Sequence, residues 1–232
     1  MNRPAALIAA VSLLSGLALG ASAAPAAAAS VSVSAKSLLS KLTVREENHE
    51  HRFNRSVFSY DADGDGCYTR KEVLKRDAIE LTKLSKSCSV DGTWRSLYDG
   101  RVYDDPSALQ IDHLVPLAEA WHSGAYRWSH REQIAFGNDI GYRWDLQAVS
   151  IDDNQGKLDG DPSEWLPSRN RCTYVKAWIG VKYRWHLPID RAEKAALKRQ
   201  LERCSSLQVL RPGKPDIAAL VGHGEIEPIE KL

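Results

Sequence analysis

Asp112 and His113 stand side by side near the middle of the chain, and Asp145, Asn154 and Lys157 follow them. An imidazole has an ordinary pKa of about 6.5, so it can take a proton from water near neutral pH. Carboxylate and amide oxygens are the hard ligands that Mg²⁺ prefers. These residue types suit proton transfer beside a divalent cation, but an Asp next to a His is by itself also typical of a structural or surface histidine.

A second motif runs from Asp61 to Glu72 and matches the calcium-loop pattern D-x-D-x-D-G-x5-E. The carboxylates of Asp61, Asp63 and Asp65 can converge on one cation, Gly66 permits the sharp turn, and Glu72 can supply two oxygens. A cysteine directly after the glycine and a tyrosine in place of an aliphatic residue depart from the usual context. The loop is either a Ca²⁺ site or an Asp/Gly turn that binds no ion, and the sequence leaves both open.

The Asp-His motif lies near the end of a predicted strand. Residues 108–115 alternate in the manner of a strand, and Pro116 breaks the pattern before a predicted helix around residues 117–122. Neighbouring residues of a strand point to opposite faces. Bringing Asp112 and His113 to one site therefore requires a bend or a strand end before Pro116.

Residues 146–151 form a second predicted strand, and Asp152–Asn154 suit the start of a helix directly after it. Residues 36–55 look helical but heavily charged. Three histidines have no second motif beside them and stay unassigned: His122, His130 and His186.

Four cysteines remain after the N-terminal segment, and an even number in an exported chain predicts two disulfides over a zinc site, which would want closer ligand pairs. Three pairings are possible. Apolar spacing predicts a helix over residues 174–185, and a capping box marks a second helix after it. If these helices are antiparallel, Cys172 lies beside Cys204, and this pairing leaves Cys67 with Cys88.

The N-terminus has the pattern of a secretory signal peptide over residues 1–29, with Arg3 before the apolar run Ala5–Leu19 and small residues after it. The run is shorter than the roughly 18 residues that span a bilayer. We therefore predict a secreted, extracellular protein with no membrane segment after cleavage, a single domain over residues 30–204 and a loosely packed tail over residues 205–232.

The 232 residues are 43% hydrophobic and 26% charged, with 31 Lys+Arg against 30 Asp+Glu, which excludes a disordered or coiled-coil chain. A polyanionic partner would have to be held by a local basic patch or by metal ions, since the total charge is nearly neutral. We predict a monomer of the α+β class, mostly helical and rich in loops.

The ordered motifs of the chain resemble those of secreted actinobacterial HNH-family endonucleases. The likeness covers roughly residues 53–204, and the motifs that carry it are Asp65–Arg70, Tyr98–Gly100, Asp112–Leu117, Ala120–Ala125, Phe136–Asp139, Glu164–Pro167 and Arg171–Tyr174. The resemblance implies a ββα-metal core in which His113 is the general base, while Asp112 and Asn154 hold a divalent cation, expected to be Mg²⁺.

Three further roles follow from the resemblance. The family places an Asn where this chain has Asp145, and that Asn orients the general-base histidine. Asp145 would then orient His113, act as a further metal ligand, or only cap the entry to a strand. Lys157 and Arg70 are candidates for phosphate contacts, although each is also typical of a solvated surface charge.

We therefore predict a metal-dependent endonuclease that hydrolyses DNA with little sequence specificity, because phosphate contacts carry no base information. An RNA substrate is one alternative. A non-catalytic exported calcium-binding module, in which the Asp-His motif is structural, is the other.

Overall fold

The structure is a computed structural model, and it describes residues 32–58, 66–86, 88–205 and 208–221. The predicted signal peptide and three of the predicted calcium ligands, Asp61, Asp63 and Asp65, lie outside these ranges. The elements of the described ranges, in chain order, are β1 (Ser32–Ser34), α1 (Ala35–Lys41), α2 (Thr69–Asp77), β2 (Ala78–Leu84), β3 (Val90–Arg95), β4 (Val102–Tyr103), β5 (Leu109–His113), α3 (Leu117–Ser123), α4 (His130–Gly137), β6 (Leu146–Ser150), α5 (Ile151–Lys157), α6 (Arg171–Arg184), α7 (Arg191–Glu202), β7 (Gln208–Leu210) and α8 (Ile217–Val221).

Strands β5 and β6 and helix α5 form one unit, which we call the strand-helix unit. The strands are antiparallel, with His113 opposite Leu146, and helices α3 and α4 lie between them in the chain. Helix α5 follows β6 without a loop because Ser150 Oγ accepts a hydrogen bond from the Asp153 N–H at 3.4 Å. The sequence predicted both strands and the helix, and the structure confirms all three.

The strand-helix unit is held between two apolar clusters. Helix α2 and strand β3 pack on one side, where Trp94 is fully buried beside Leu109 and Ala148. The larger cluster includes residues of α1, α3, α4, α6 and α7. Packing from both sides fixes the backbone on which the site residues stand.

Two disulfides close the fold with the predicted pairing, Cys67 with Cys88 and Cys172 with Cys204. The second joins the first turn of α6 to the end of α7, as the helix argument required. Asp190 begins α7 by accepting a hydrogen bond from the Glu193 N–H at 2.7 Å. Two cross-links of this kind stabilise the fold mainly by restricting the unfolded chain.

The predicted helix over residues 36–55 was wrong beyond its first turns. Helix α1 stops at Lys41, and residues 43–45 instead run beside the segment before α7, where Arg45 N–H donates to the Ile189 carbonyl at 3.0 Å. In the described part of the segment after Cys204, β7 pairs with β1 and α8 buries Leu220. Both segments form contacts between distant parts of the chain, which local periodicity does not register.

The chain is thus an α+β protein in one small domain with two disulfides. Within the ranges that the structure describes, no helix is long and apolar enough to cross a membrane.

Candidate functional site

A cleft of about 460 Å³ opens on the strand-helix unit, and we call it the histidine cleft. Its walls come from four places in the chain: the segment before residue 58, the start of α2, the end of α4, and the strand-helix unit. The lining residues are Arg55, Tyr68, Thr69, Arg70, Gln110, Ile111, His113, Gly137, Leu146 and Asn154. Predicted site residues His113, Asn154 and Arg70 are therefore brought together.

The ring of His113 is fixed in one tautomer by a backbone carbonyl. Its Nε2 lies 2.9 Å from the carbonyl oxygen of Gly137. Because a carbonyl oxygen can only accept, Nε2 carries the proton and Nδ1 keeps its lone pair. Burial, with only 8% of the residue exposed, lowers the pKa of His113 to about 4, so the ring is neutral at physiological pH. A neutral imidazole with a lone pair on Nδ1 is a proton acceptor.

Gly137 can hold His113 because the end of α4 packs closely on its surroundings. A side chain at this position would place its Cβ 3.2 Å from the Cβ of Phe58, so glycine fits best. The next residue, Asn138, accepts a hydrogen bond from the Thr69 hydroxyl and donates to the Ile134 carbonyl at 2.8 Å. These bonds lock the end of α4 to the start of α2. Sequence reasoning missed the role of Gly137, since a backbone acceptor leaves no side-chain signal.

Asp112 points away from His113, because β5 runs without a bend to its last residue. The carboxylate Oδ2 of Asp112 accepts from the Tyr98 hydroxyl and from Lys157 Nζ, the latter at 2.7 Å. The same ammonium donates to the His113 carbonyl at 2.8 Å. Asp112 Oδ1 has no hydrogen-bond partner among the described residues.

Lys157 is therefore not the phosphate contact that the sequence predicted. Its side chain is 0% exposed, and its ammonium is bonded within the protein. A lysine held in this way neutralises the buried carboxylate of Asp112 and ties α5 to β5. The correction has a simple cause: a basic residue near a predicted site looks the same in sequence whether it points out or in.

Asn154 lies on the same side of β5 as Asp112. Its amide nitrogen donates to Gln110 Oε1 at 2.8 Å, which leaves the amide oxygen without a described partner. Gln110 and Asp112 are two residues apart in the strand and share a face. Both predicted metal ligands thus stand on the face covered by α5, with one oxygen of each unused by described residues.

Asp145 does not orient His113, whose Nε2 is bonded to Gly137 instead. The buried Asp145 carboxylate lies 3.4 Å from Trp185 Nε1 and 3.7 Å from Arg184 Nε, in a group that also contains Asp139. Burial and the neighbouring Asp139 raise the pKa of the Asp145 carboxyl well above its usual range. Its backbone carbonyl accepts from the N–H of residue 114 at 2.9 Å, so the residue supports the strand entry.

Two arginines give the histidine cleft its charge. Arg70, in the first turn of α2, is exposed and donates to the Pro106 carbonyl at 2.8 Å. Arg55, which sequence reasoning missed, is exposed on the opposite wall and close enough to lower the pKa of His113 further. The cleft can therefore attract an anion to the ring of His113.

Of the predicted calcium ligands, only Glu72 falls within the described ranges. It lies in the first turn of α2, five residues after Cys67, whose disulfide partner is Cys88. The calcium-binding loop from Asp61 to Glu72 therefore stays a prediction.

An uncharacterized secreted protein of Arthroderma benhamiae (strain ATCC MYA-4681 / CBS 112371) is 38% identical to this chain over 174 residues, which is 74% of this chain and 85% of the fungal one. The two proteins belong to one family. No family model matches the sequence, and no solved structure matches it.

The chain is a secreted, disulfide-bonded protein. The fungal relative is secreted, and both disulfides are of the kind that persists in the oxidising extracellular environment. The predicted localisation is confirmed.

Proposed function

We propose that this protein is a metal-dependent HNH-family endonuclease that hydrolyses the backbone of DNA. One observation carries the proposal: the strand-helix unit places His113, with its proton on Nε2, in the same cleft as Asn154, Arg55 and Arg70. A strand carrying the histidine, a paired strand and a following helix carrying the asparagine have the order of a ββα-metal core.

In this proposal His113 is the general base. Its Nδ1 takes a proton from water, the water oxygen attacks phosphorus, and the bond from phosphorus to the 3′ oxygen breaks. The Gly137 carbonyl keeps the ring in the tautomer that the step needs, at 2.9 Å from Nε2. General bases of this kind contribute on the order of 10²–10⁴-fold to a rate.

The residues on the α5 face of β5 fit a divalent cation. The free oxygens of Asp112 and Asn154 are hard ligands of the type that Mg²⁺ takes with water and a substrate phosphate completing its shell. When bound, the cation would stabilise negative charge on the leaving oxygen. Oδ1 of Asp112 would remain available to the cation, because the hydrogen bonds that the carboxylate accepts from described residues fall on Oδ2.

Arg55 and Arg70 would hold the phosphates on either side of the scissile bond. Guanidinium groups bind phosphate oxygens with charge-assisted hydrogen bonds. Such contacts position the backbone and do not read bases, so we expect cleavage with little sequence preference.

The test is cleavage of supercoiled plasmid and of a structured RNA by the mature protein, in separate reactions with Mg²⁺, Ca²⁺ and EDTA. We expect nicking of the plasmid with Mg²⁺ and none with EDTA. His113→Ala should abolish cleavage while circular dichroism shows a folded protein. His186→Asn, at an exposed histidine with a φ of 53°, is the matched control and should cleave normally.

Three results would count against the proposal. Cleavage of RNA alone would replace the substrate and keep the chemistry. Full activity of His113→Ala would exclude the general base. Intact plasmid and intact RNA in every reaction of the wild type would favour a non-catalytic calcium-binding module instead.

A further inference from the structure

A second cavity, of about 900 Å³, is lined in part by the end of helix α5 and the turn after it. We call it the acidic cavity and define it by Glu47, His49, His122, Asp161 and Asp190, which line it. It is formed by the segment after α1, the end of α3, the turn after α5 and the start of α7. None of its defining residues belongs to the proposed nuclease site.

Three side chains of the acidic cavity converge. Glu47, His49 and His122 each offer one ligand atom, and these atoms all lie within 4.8 Å of one another. Glu47 Oε2 lies 3.0 Å from His49 Nε2, and the ring centroids of His49 and His122 are 4.2 Å apart. A tetrahedral ion with bonds of about 2.0–2.1 Å separates its ligand atoms by about 3.4 Å. Small rotations of these side chains reach that spacing.

Hydrogen bonds hold the segment that carries Glu47 and His49 against the end of α3, where His122 lies. The N–H of Asn48 donates to the carbonyl of His122 at 2.9 Å, so the residue between Glu47 and His49 is bonded to the third member of the group. Arg45 NH2 donates to the Ser123 carbonyl at 2.9 Å, which anchors the same segment one residue further along α3. The convergence therefore does not depend on a free loop.

Three carboxylates of the cavity form no ion pair with a described lysine or arginine. Glu47, Asp161 and Asp190 also lie within 4.8 Å of one another, and within the described ranges no lysine or arginine lies within 4 Å of their oxygens. The buried ammonium of Lys182 sits beneath the cavity. It bonds to Glu119, to Ser123 Oγ at 2.8 Å and to the Pro188 carbonyl at 3.0 Å, and lies 3.4 Å from Glu193.

We propose that the acidic cavity binds one transition-metal ion of the zinc type through Glu47, His49 and His122. Two imidazoles with a carboxylate favour such an ion over Mg²⁺ or Ca²⁺, which prefer oxygen ligands alone. Asp161 and Asp190 supply further negative charge around the ion. The ion fastens the segment after α1 to the end of α3, and so closes this side of the fold.

The experiment is calorimetric titration of the mature, untagged protein with ZnCl₂ after treatment with a chelator. We expect one site that is lost in His49→Ala and in His122→Ala, with the dissociation constant raised at least about 100-fold. His186→Asn removes a histidine elsewhere and should leave binding unchanged. His113→Ala should also retain the site, which separates it from the histidine cleft.

Zinc should further raise the melting temperature of the wild type and not that of the two ligand variants. His49 is an exposed residue, so His49→Ala is expected to fold and to give a reading even where His122→Ala does not. No zinc binding by the wild type, equal binding by His49→Ala, or loss of binding in His113→Ala would each overturn the proposal.

Discussion

The two cavities that helix α5 helps to line have opposite charge. The histidine cleft carries Arg55 and Arg70 and no acidic lining residue within the described ranges. The acidic cavity has Glu47, Asp161 and Asp190 among its lining, and the one lysine beside them, Lys157, turns its ammonium to Asp112. One helix of seven residues thus borders both a surface suited to a polyanion and a surface suited to a cation.

Under the proposed function, this separation of charge would let a chain with almost no net charge bind a nucleic acid. Charges separated by more than about 8 Å are largely screened at physiological ionic strength, so a phosphate in the histidine cleft responds mainly to the arginines around it. The local arrangement of charge, and not its sum, decides which partner each face accepts.

Replacing the lysine between the two cavities should have the largest effect. Lys157→Met removes an ammonium that has no exposed surface. Among the described residues, the Tyr98 hydroxyl is then the remaining hydrogen-bond donor to the buried Asp112 carboxylate. Breaking a buried pair in this way costs about 3–5 kcal/mol of unfolding free energy. Urea denaturation of the two proteins measures the difference.

The control for this change is a double variant that also replaces Asp112, the other member of the ion pair. Lys157→Met combined with Asp112→Asn removes both charges and should regain part of the lost stability. Lys198→Met, on the exposed face of α7, should change stability by less than about 0.5 kcal/mol. Equal losses for the single and double variants would show that the ion pair is not the cause.

Asn154 should matter to catalysis more than to stability. Asn154→Ala removes the amide oxygen proposed to hold Mg²⁺ and a single hydrogen bond to Gln110. We expect plasmid cleavage to fall about 100-fold, equivalent to about 2.7 kcal/mol in the barrier. Gln155→Ala changes the exposed neighbour and should cleave at the wild-type rate. Unchanged cleavage by Asn154→Ala would remove this residue from the site.

Arg70 tests the charge of the histidine cleft itself. Arg70→Gln removes one proposed phosphate contact, so DNA binding should weaken about tenfold. The slope of the logarithm of the binding constant against the logarithm of the salt concentration should become shallower by about one. Fluorescence anisotropy with labelled DNA in EDTA, at several salt concentrations, measures both. Lys198→Gln removes the same charge from α7, and an equal effect there would indicate a general response to net charge.

The elements of the site could be predicted from the sequence, whereas several contacts could not. Alternation over residues 108–115 and the polar residues after residue 150 are local signals, and they gave β5, β6 and the start of α5. The disulfide pairing followed from the order of two helices. These are short-range patterns, which the sequence carries directly.

The direction of a charged side chain is not a short-range pattern. Lys157 and Arg70 both looked like phosphate ligands, yet one is buried against Asp112 and the other is exposed in the cleft. His122 had no motif beside it, because its neighbours Glu47 and His49 are far away in the chain and reach it only through the packing of α3. Such groups exist only once the tertiary structure is formed.

Asp145 and Asp139 form a further group of crowded carboxyls, which differs from the acidic cavity because both side chains are fully buried. Asp139 accepts two hydrogen bonds from Arg184, at 2.6 Å and 3.0 Å. The guanidinium of Arg184 therefore pairs with Asp139 more closely than with Asp145. One buried oxygen of Asp145 has no hydrogen-bond partner among the described residues. Two carboxyls beside one cation are most stable when one of them keeps its proton.

The smallest effect is therefore expected for Asp145→Asn, because a carboxamide resembles a protonated carboxyl in shape and in its ability to donate. The pKa of Asp145 is raised in the folded chain above its unfolded value of about 3.9. Between these two values the folded chain binds more protons than the unfolded one, so this group's contribution to stability falls as pH rises. The variant has no such proton to lose. Its stability relative to wild type should therefore increase as the pH rises above about 4, as measured by urea denaturation. If the stability of the variant relative to wild type decreased as the pH rises, Asp145 would be ionised in the folded protein. The enclosed group would then need a cation, as we propose for the acidic cavity.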